Sequence, residues 1–169
     1  MFFNPTKNFW KYRKKCLKHE KGRIKILYYF YLVLCKKINR TLHSGIPVSR
    51  EINQFIAPHG LSGIYISKGA QIEEGCTIFQ QVTIGSNTLP DSKKLGAPKI
   101  GKNVYIGAGA KIIGSIKVGD NVRVGANCVV VEDVPNNSTI VMNKPRIIVH
   151  KQKRENRFEK WDSMKGEEK

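Results

Sequence analysis

The chain has 169 residues, with 30 Lys and Arg against 13 Asp and Glu, which gives a formal net charge of +17. This length suits one domain with an appendage, and the charge favours an acidic partner such as an anionic membrane surface or an acidic polymer. No nucleic-acid-binding motif accompanies the charge, so no DNA or RNA partner is expected. The Cys residues show no C-x-x-C spacing, which argues against a disulfide framework or a zinc site and fits a reducing cytoplasm.

Residues 1–43 form a basic N-terminal segment that we expect to be helical. Helical spacing of apolar residues predicts a helix over 23–42, packed on more than one surface, and Gly22 separates it from a shorter helix over 9–20. The positive charges form either a patch for a partner or an ordinary solvated helix face, and both interpretations stay open. They are Lys7, Lys11, Arg13, Lys14, Lys15, Lys18, Lys21, Arg23 and Lys25, against the single acid Glu20.

The apolar run at 28–35 is eight residues long, far short of the roughly 20 needed to span a bilayer. The start of the chain also lacks the charged, apolar and small-residue order of a cleaved signal peptide. We therefore expect a cytoplasmic protein. Its basic, aromatic-rich start could touch the inner membrane peripherally, or an acidic glycan.

From Ile66 onward a branched aliphatic residue returns at every sixth position, with one interruption. A small or medium apolar residue follows four positions after almost every one of them, and Gly or Asn fills many of the turns between. Stacked short strands turn such a pattern into one continuous interior column, as in a hexapeptide β-helix. The repeat positions are Ile66, Ile72, Ile78, Ile84, Ile100, Ile106, Ile112, Val118, Val124 and Val130.

The repeat defines a domain over 44–149 and leaves 150–169 as a charged tail. Residues 58–63 break the pattern just before it becomes regular, and residues 86–99 are expected to leave the coil as an extruded surface loop, where binding often resides. After the coil, 139–149 should form one or two closing strands around Pro145. The tail, with Phe158, Trp161 and Met164, is predicted to be a capping helix or a partly disordered extension.

The segments 80–85 (QQVTIG) and 106–112 (IGAGAKI) resemble the left-handed β-helix acyltransferases, most closely the serine acetyltransferase-like branch, and the similarity covers roughly 46–149. The resemblance implies an all-β solenoid, a left-handed parallel β-helix of hexapeptide repeats with an N-terminal helical segment. It also implies acetyl-CoA as co-substrate and a homotrimer that binds the donor between adjacent coils.

His59 is the candidate catalytic residue. In the resembling enzymes the histidine of a His-x-x-x-Gly-Ile pattern, here residues 59–64, acts as general base toward the acceptor hydroxyl. Imidazole suits that task because it is neutral near pH 7 and becomes charged after taking the proton. The alternative is a histidine that only satisfies a turn. Glu51 or a backbone carbonyl could orient the ring.

Several residues are candidates for binding the acetyl donor. Small residues leave the backbone open along one edge, and two cations lie where the family often places basic residues near the CoA phosphates, although a lone surface cation is commonly just solvated. A backbone amide near Gly85 or within 107–109 could stabilise the oxyanion. The donor-binding candidates are Gly85, Gly107, Ala108, Lys111, Arg123 and Ala126, and Lys144 and Arg146 follow. Gln80 and Gln81 could bind substrate beside His59 or form a ladder on an outer face.

The acceptor is predicted from departures from the serine enzymes. Those enzymes carry an aspartate directly before the base and an arginine–histidine pair in the loop, where this chain has Pro58 and Gly96-Ala97. The proline variant resembles the O-acetyltransferases of capsule and exopolysaccharide synthesis. We therefore expect an O-acetyltransferase acting on a hydroxyl of a bacterial surface glycan or its sugar precursor. Serine acetylation and a non-catalytic scaffold in a synthase complex are the alternatives. A metal site is not expected, because a zinc enzyme of this fold needs several histidines within the coil.

Overall fold

A computed structural model of the chain describes residues 4–22 and 25–154. Two α-helices come first, α1 over Pro5–His19 and α2 over Lys25–Thr41. Helix α1 begins earlier than predicted because Asn4 caps it: the Asn4 side chain accepts a hydrogen bond from the Lys7 backbone N–H, 2.9 Å away, and Pro5 supplies the preset φ angle that suits a first turn. Arg23 of the predicted second helix lies outside the described residues.

Eleven short strands are assigned within the described residues, and they stack into three parallel sheets. Sheet 1 has the order β1-β4-β7-β10, sheet 2 the order β2-β5-β8, and sheet 3 the order β11-β9-β6-β3. One coil thus supplies one strand to each face, and this confirms the predicted left-handed parallel β-helix with helices before it. The strands are β1 Tyr65–Ile66, β2 Gln71–Ile72, β3 Thr77–Ile78, β4 Thr83–Gly85, β5 Lys99–Ile100, β6 Tyr105–Ile106, β7 Lys111–Ile113, β8 Lys117–Val118, β9 Arg123–Val124, β10 Val129–Val130 and β11 Thr139–Ile140.

The repeat positions form the interior of the prism. In sheet 1, for example, Ile66 pairs with Ile84, Ile84 with Ile112, and Ile112 with Val130. All ten repeat positions are at most 5% exposed. Each aliphatic side chain therefore stacks on its equivalent one coil away, and burial of this column supplies the main driving force of the fold.

One edge of the prism, where sheet 2 turns into sheet 3, carries an asparagine ladder. Asn103, Asn121 and Asn137 all have positive φ angles of 53–59°. The Asn103 side-chain N–H donates to the Asn121 side-chain oxygen at 2.9 Å, and Asn121 donates to Asn137 in the same way at 3.0 Å. Asparagine suits these corners because it tolerates the left-handed conformation.

The helices are attached to the first coil through aromatic and polar contacts. Trp10 of α1 packs edge-on against Phe55 with 5.0 Å between ring centroids. Arg13, 8% exposed, donates from its guanidinium to the backbone carbonyls of Ser49 and Ile52. These bonds satisfy two carbonyls of the irregular first coil, so α1 completes a coil that the degenerate repeat leaves open.

The extruded loop leaves the prism between β4 and β5. Asn87 and Gly96 close its base through two backbone hydrogen bonds of 2.8 and 2.9 Å. Lys99 already lies in β5 and pairs with Gln71, so the loop ends one residue before the predicted boundary at 99. Because β4 belongs to sheet 1 and β5 to sheet 2, the loop leaves from the edge between those two sheets.

The coil closes with a single strand, β11 at 139–140. Residues 141–150 are exposed and carry no strand, so strand structure does not extend to Pro145. A proline has no backbone N–H to donate to a ladder, which is consistent with an early end of pairing. The predictions for Phe158, Trp161 and Met164 lie outside the described residues.

Candidate functional site

His59 lies where the first coil turns from sheet 3 to sheet 1. Ile56, just before it, pairs with Thr77 of sheet 3, and β1 of sheet 1 comes after it. Positive φ angles at Gly60 and Gly63, 79° and 70°, shape the turn, and glycine adopts these angles without steric cost. The break in the repeat thus places the His59 side chain outside the prism, where it is solvent-exposed.

The imidazole of His59 is held on two sides. Its Nδ1 lies 2.9 Å from the side-chain oxygen of Gln80, and its ring stands perpendicular to that of Phe79 with 5.4 Å between centroids. Since an amide oxygen only accepts, Nδ1 carries the proton and donates it to Gln80. The tautomer that results leaves the lone pair on Nε2, the nitrogen that a general base needs.

Gln80 therefore occupies the orienting position for which the sequence suggested Glu51 or a backbone carbonyl. Glu51 is exposed, and its hydrogen-bonding role is a backbone one, since its carbonyl accepts from the Ile72 N–H at 2.8 Å. The glutamine reaches His59 from the next coil, 21 residues along the chain. Sequence spacing alone does not reveal this contact because the irregular first coil has no fixed repeat length.

Above His59, equivalent corners of successive coils stack into an edge between sheets 3 and 1, which we call the His59 edge. The Gly109 N–H donates to the Gln80 carbonyl at 3.0 Å, and the Asn127 N–H donates to the Ala108 carbonyl at 2.8 Å. Gln81, Gly109 and Asn127 share the positive φ angle of this corner. The His59 edge thus brings His59 together with five other predicted site residues, namely Gln80, Gln81, Gly107, Ala108 and Ala126.

Of the two cations predicted for the CoA phosphates, Lys111 lies at the His59 edge. It begins β7 in sheet 1, and its Nζ donates to the Gln81 carbonyl at 2.8 Å. Arg123 begins β9 in sheet 3, is exposed, and lines a groove of about 250 Å³ with Asn103 and Asn121 of the asparagine ladder, so it lies toward the other edge of that sheet. A cationic side chain beside an open corner, as Lys111 provides, fits a phosphate of a nucleotide-like donor.

Gly107 at the predicted donor site has a structural reason for being glycine. A Cβ there would lie 2.7 Å from the Ala126 backbone N, so the coils approach too closely for a side chain. At Gly85 the nearest atom would be Ile113 Cδ1, 2.8 Å away, which is the movable end of a side chain. Gly85 also lies at the far end of β4, toward the extruded loop, so the structure does not bring it to the His59 edge.

Two of the backbone amides within 107–109, which were predicted as oxyanion donors, already donate hydrogen bonds to neighbouring coils. The Gly107 N–H donates to the Val124 carbonyl at 2.8 Å, and the Gly109 N–H to the Gln80 carbonyl at 3.0 Å. Both amides therefore stabilise the coil stack, and the oxyanion donor stays a prediction for the Ala108 amide and for the region near Gly85. The general reason is that amides next to strands in a solenoid are taken up by the neighbouring coil.

The extruded loop and His59 lie on different edges of the same prism. The loop leaves between sheets 1 and 2, whereas His59 stands between sheets 3 and 1. A single chain therefore does not combine the two into one cleft. Within residues 4–22 and 25–154, no group of three or more His, Cys, Asp and Glu side chains is arranged to hold a metal ion.

Comparison with known proteins shows which proteins share the repeat and the fold of this chain. Residues 97–131 match the family model "Bacterial transferase hexapeptide (six repeats)", so the coil carries the repeat of these transferases. A serine acetyltransferase of Bacillus pumilus is 33% identical over 134 residues, which cover 76% of this chain and 59% of that protein.

Solved structures give the same relationship. Serine acetyltransferase isoform 3 of Entamoeba histolytica in complex with cysteine has a TM-score of 0.68 and 27% identity, and the alignment covers 89% of this chain and 52% of that one. A serine acetyltransferase in complex with CoA has a TM-score of 0.60 and 27% identity, over 80% of this chain and 51% of that one. The chain thus spans about half the length of these structural neighbours.

These similarities overturn the predicted glycan acceptor. The relative and the solved structures that resemble this chain are serine acetyltransferases, and they give no support to a capsule or exopolysaccharide glycan as acceptor. The prediction depended on charged side chains missing at Pro58, Gly96 and Ala97. A missing side chain does not say which other group meets the charges of a substrate, so these positions alone do not exclude serine.

Proposed function

We propose that this chain is an acetyl-CoA-dependent O-acetyltransferase whose acceptor is the hydroxyl of L-serine. The observation that carries the proposal is the exposed His59 imidazole, whose Nδ1 is held by the Gln80 side-chain oxygen at 2.9 Å. The similarity of most of the chain to serine acetyltransferases supports the choice of acceptor.

The proposed reaction is a direct transfer with His59 as general base. Nε2 of His59 accepts the proton of the serine hydroxyl while that oxygen forms a bond to the carbonyl carbon of the thioester. The carbon–sulfur bond breaks, and the imidazolium returns the proton to the CoA sulfur. The products are O-acetylserine and CoA with a free thiol, and no covalent bond to the enzyme forms.

In this proposal the acetyl donor lies along the His59 edge. Lys111 at this edge offers a cation of the kind that phosphate groups require, and Arg123, farther across sheet 3, is the second candidate. The small side chains of Ala108 and Ala126 allow the pantetheine arm to approach the backbone. The serine acetyltransferase solved with CoA supports this class of donor.

We also propose that the active assembly is a homotrimer. His59 is exposed on one edge of a single prism, and the extruded loop of the same chain leaves from a different edge. A neighbouring copy could cover the His59 edge and complete the cleft. Light scattering should report three copies, and a monomer with full activity would contradict the shared site.

The test is the loss of thioester absorbance with acetyl-CoA and L-serine, with mass spectrometry of the acetylated product. The wild-type protein should turn over, and His59→Ala should lose about a hundredfold to ten-thousandfold in kcat. His150→Ala is the matched control, because His150 is also exposed and its Nδ1 lies 3.2 Å from the Arg154 guanidinium, in the segment that follows the coil.

The outcomes separate the parts of the proposal. Full activity in His59→Ala would refute the role of His59 as general base. CoA binding by the wild-type protein without turnover of L-serine would refute L-serine as the acceptor. Absence of CoA affinity would refute the enzymatic function as a whole.

A further inference from the structure

Helix α2 presents an apolar stripe to solvent. Ile26, Tyr29, Phe30 and Val33 are 75%, 59%, 55% and 61% exposed, and their spacing of i, i+3, i+4 and i+7 puts them on one helical face. The opposite face is packed, with Cys35 1% exposed. Four exposed apolar side chains in one contiguous stripe are unusual on a soluble surface and mark a site of contact.

The same face of α2 turns basic toward its end. Lys36, Lys37 and Arg40 continue the stripe at helical spacing and are all exposed. Helix α2 contains no Asp or Glu, so nothing on its own face neutralises these cations. The outer face of α2, which we call the α2 face, is therefore apolar and aromatic in its first half and cationic in its second.

Helix α1 adds to the positive potential of the helical pair. Lys7, Lys11, Lys14 and Lys18 recur at helical spacing and are exposed. Glu20 comes directly after α1 but is paired with Arg50 at 2.9 Å. The two helices together thus carry a field that attracts anions over a distance of roughly 8 Å at physiological salt.

We propose that the α2 face docks on an anionic lipid bilayer. Tyr29 and Phe30 suit the boundary between headgroups and acyl chains, where amphipathic rings concentrate. Lys36, Lys37 and Arg40 then lie over the lipid phosphates. The 17 residues of α2 would lie in the plane of the surface over about 25 Å, and no helix within the described residues has both the length and the apolarity to cross a bilayer.

Charge decides between a bilayer and a second copy of this chain. A copy that brings the same face would add further cations and no acidic partner, which like-charge repulsion opposes. An anionic bilayer matches both halves of the face, with apolar contacts for the stripe and phosphates for the cations. Because the stripe belongs to α2 and not to the His59 edge, the proposal does not depend on the proposed function.

The test is co-sedimentation of the full chain with vesicles of phosphatidylcholine alone and of phosphatidylcholine mixed with phosphatidylglycerol. We expect binding to the anionic vesicles only, weakening as salt is added. The triple variant Lys36→Gln/Lys37→Gln/Arg40→Gln should lose about 100-fold in partitioning, at about fivefold for each cation. Tyr29→Ser/Phe30→Ser should lose at least about tenfold.

Matched variants on the coil serve as controls. Val129→Ser/Val131→Ser changes two apolar residues that are 65% and 51% exposed, and Lys93→Gln/Lys99→Gln removes exposed cations. Both should bind vesicles like the wild-type protein. Circular dichroism and thermal unfolding establish that each variant is folded.

Three results would overturn the proposal. The first is equal binding to both vesicle types. The second is a Tyr29→Ser/Phe30→Ser variant that binds vesicles normally but loses self-association in sedimentation velocity, which would assign the α2 face to a second copy. The third is binding that the cation variant loses and the apolar variant keeps, with polyphosphate as an equal competitor, which would assign the face to a soluble polyanion.

Discussion

A side-chain hydrogen bond between His59 and Gln80 joins the irregular first coil to the corner above it, with 2.9 Å between Nδ1 and the amide oxygen. An amide oxygen in this position fixes the tautomer of the ring without adding a charge. The base is thereby oriented by a neutral group.

Replacement of Gln80 by Leu should lower kcat about 10- to 100-fold, because the ring loses its orientation while the base itself remains. The KM for acetyl-CoA should change little. Gln71→Leu, a half-buried glutamine in β2 on another face, is the control. Equal losses in both variants would show a general effect of the substitution.

Replacement of Gln80 by Glu tests whether an acceptor at position 80 acts on the base. A carboxylate oxygen can accept from Nδ1 as the amide oxygen does, and it stabilises the positive charge that the ring gains during transfer, so Gln80→Glu should keep more of kcat than Gln80→Leu. Equal losses in the two variants would show that the acceptor at position 80 does not act on the base.

Gly107→Ala should destabilise the fold by about 1–3 kcal/mol, because the added methyl group meets only backbone atoms and these cannot move aside. The nearest of them, the Ala126 N, would be 2.7 Å away. Gly22→Ala is the control, since its nearest neighbour would be at an ordinary 3.5 Å. Denaturant unfolding measures both, and equal stabilities would show that the coils can separate locally.

Asp133 links the extruded loop to β8, and its charge should make stability depend on pH. Its carboxylate accepts from the Lys117 backbone N–H at 3.0 Å and from Lys94 Nζ at 3.3 Å. The backbone hydrogen bond first, and then Lys94, hold the pKa of Asp133 below its usual value. A lowered folded-state pKa means that the stabilisation is present above the unfolded pKa, about 3.9, and is lost as the pH falls through the folded value.

Asp133→Asn should therefore be slightly less stable than the wild-type protein at neutral pH, and the difference should vanish in acid. Thermal unfolding across pH measures this. Asp91→Asn is the control, because it changes an exposed carboxylate of the extruded loop. It should leave the dependence of stability on pH as it is in the wild-type protein. A deficit in Asp133→Asn that persists once the pH is low enough to protonate Asp133 in the folded protein would mean that the effect comes from the shape of the side chain and not from its charge.

The four cysteines should resist thiol reagents in the native protein. All four are buried, and burial raises the pKa of the Cys35 thiol to about 12 and also raises the pKa values of Cys16 and Cys76. The reactive thiolate is therefore scarce and inaccessible. An aromatic disulfide reagent should react rapidly only after denaturation, whereas an added Thr139→Cys on the exposed surface should react at once. Fast native labelling would show that the core opens.

The coil could be predicted from the sequence because its signal is repeated and local. Ile100 and Val118 lie in different coils but share one phase of the period, and both are buried as that phase requires. The end of the coil was less predictable. Thr139 and Ile140 continue the pairing, but the path of the chain beyond them depends on how many strands the last coil offers, which a period does not encode.

The candidate site was only partly predictable. The break in the repeat singled out His59, because a glycine-flanked interruption can expose a side chain. Its contact with Gln80 depends on the path of an irregular coil, and the roles of the Gly107 and Gly109 amides depend on which carbonyl lies in the neighbouring coil. The acceptor was predicted wrongly because Pro58 shows only which side chain is absent from the site.

The asparagine ladder gives one edge of the prism a direction. Asn103 donates to Asn121, and Asn121 to Asn137, so the three amide dipoles point the same way and polarise one another. The middle amide is the only one of the three that both gives and receives within this row. Its loss would cut the row into two isolated ends, whereas removal of either outer amide would merely shorten it.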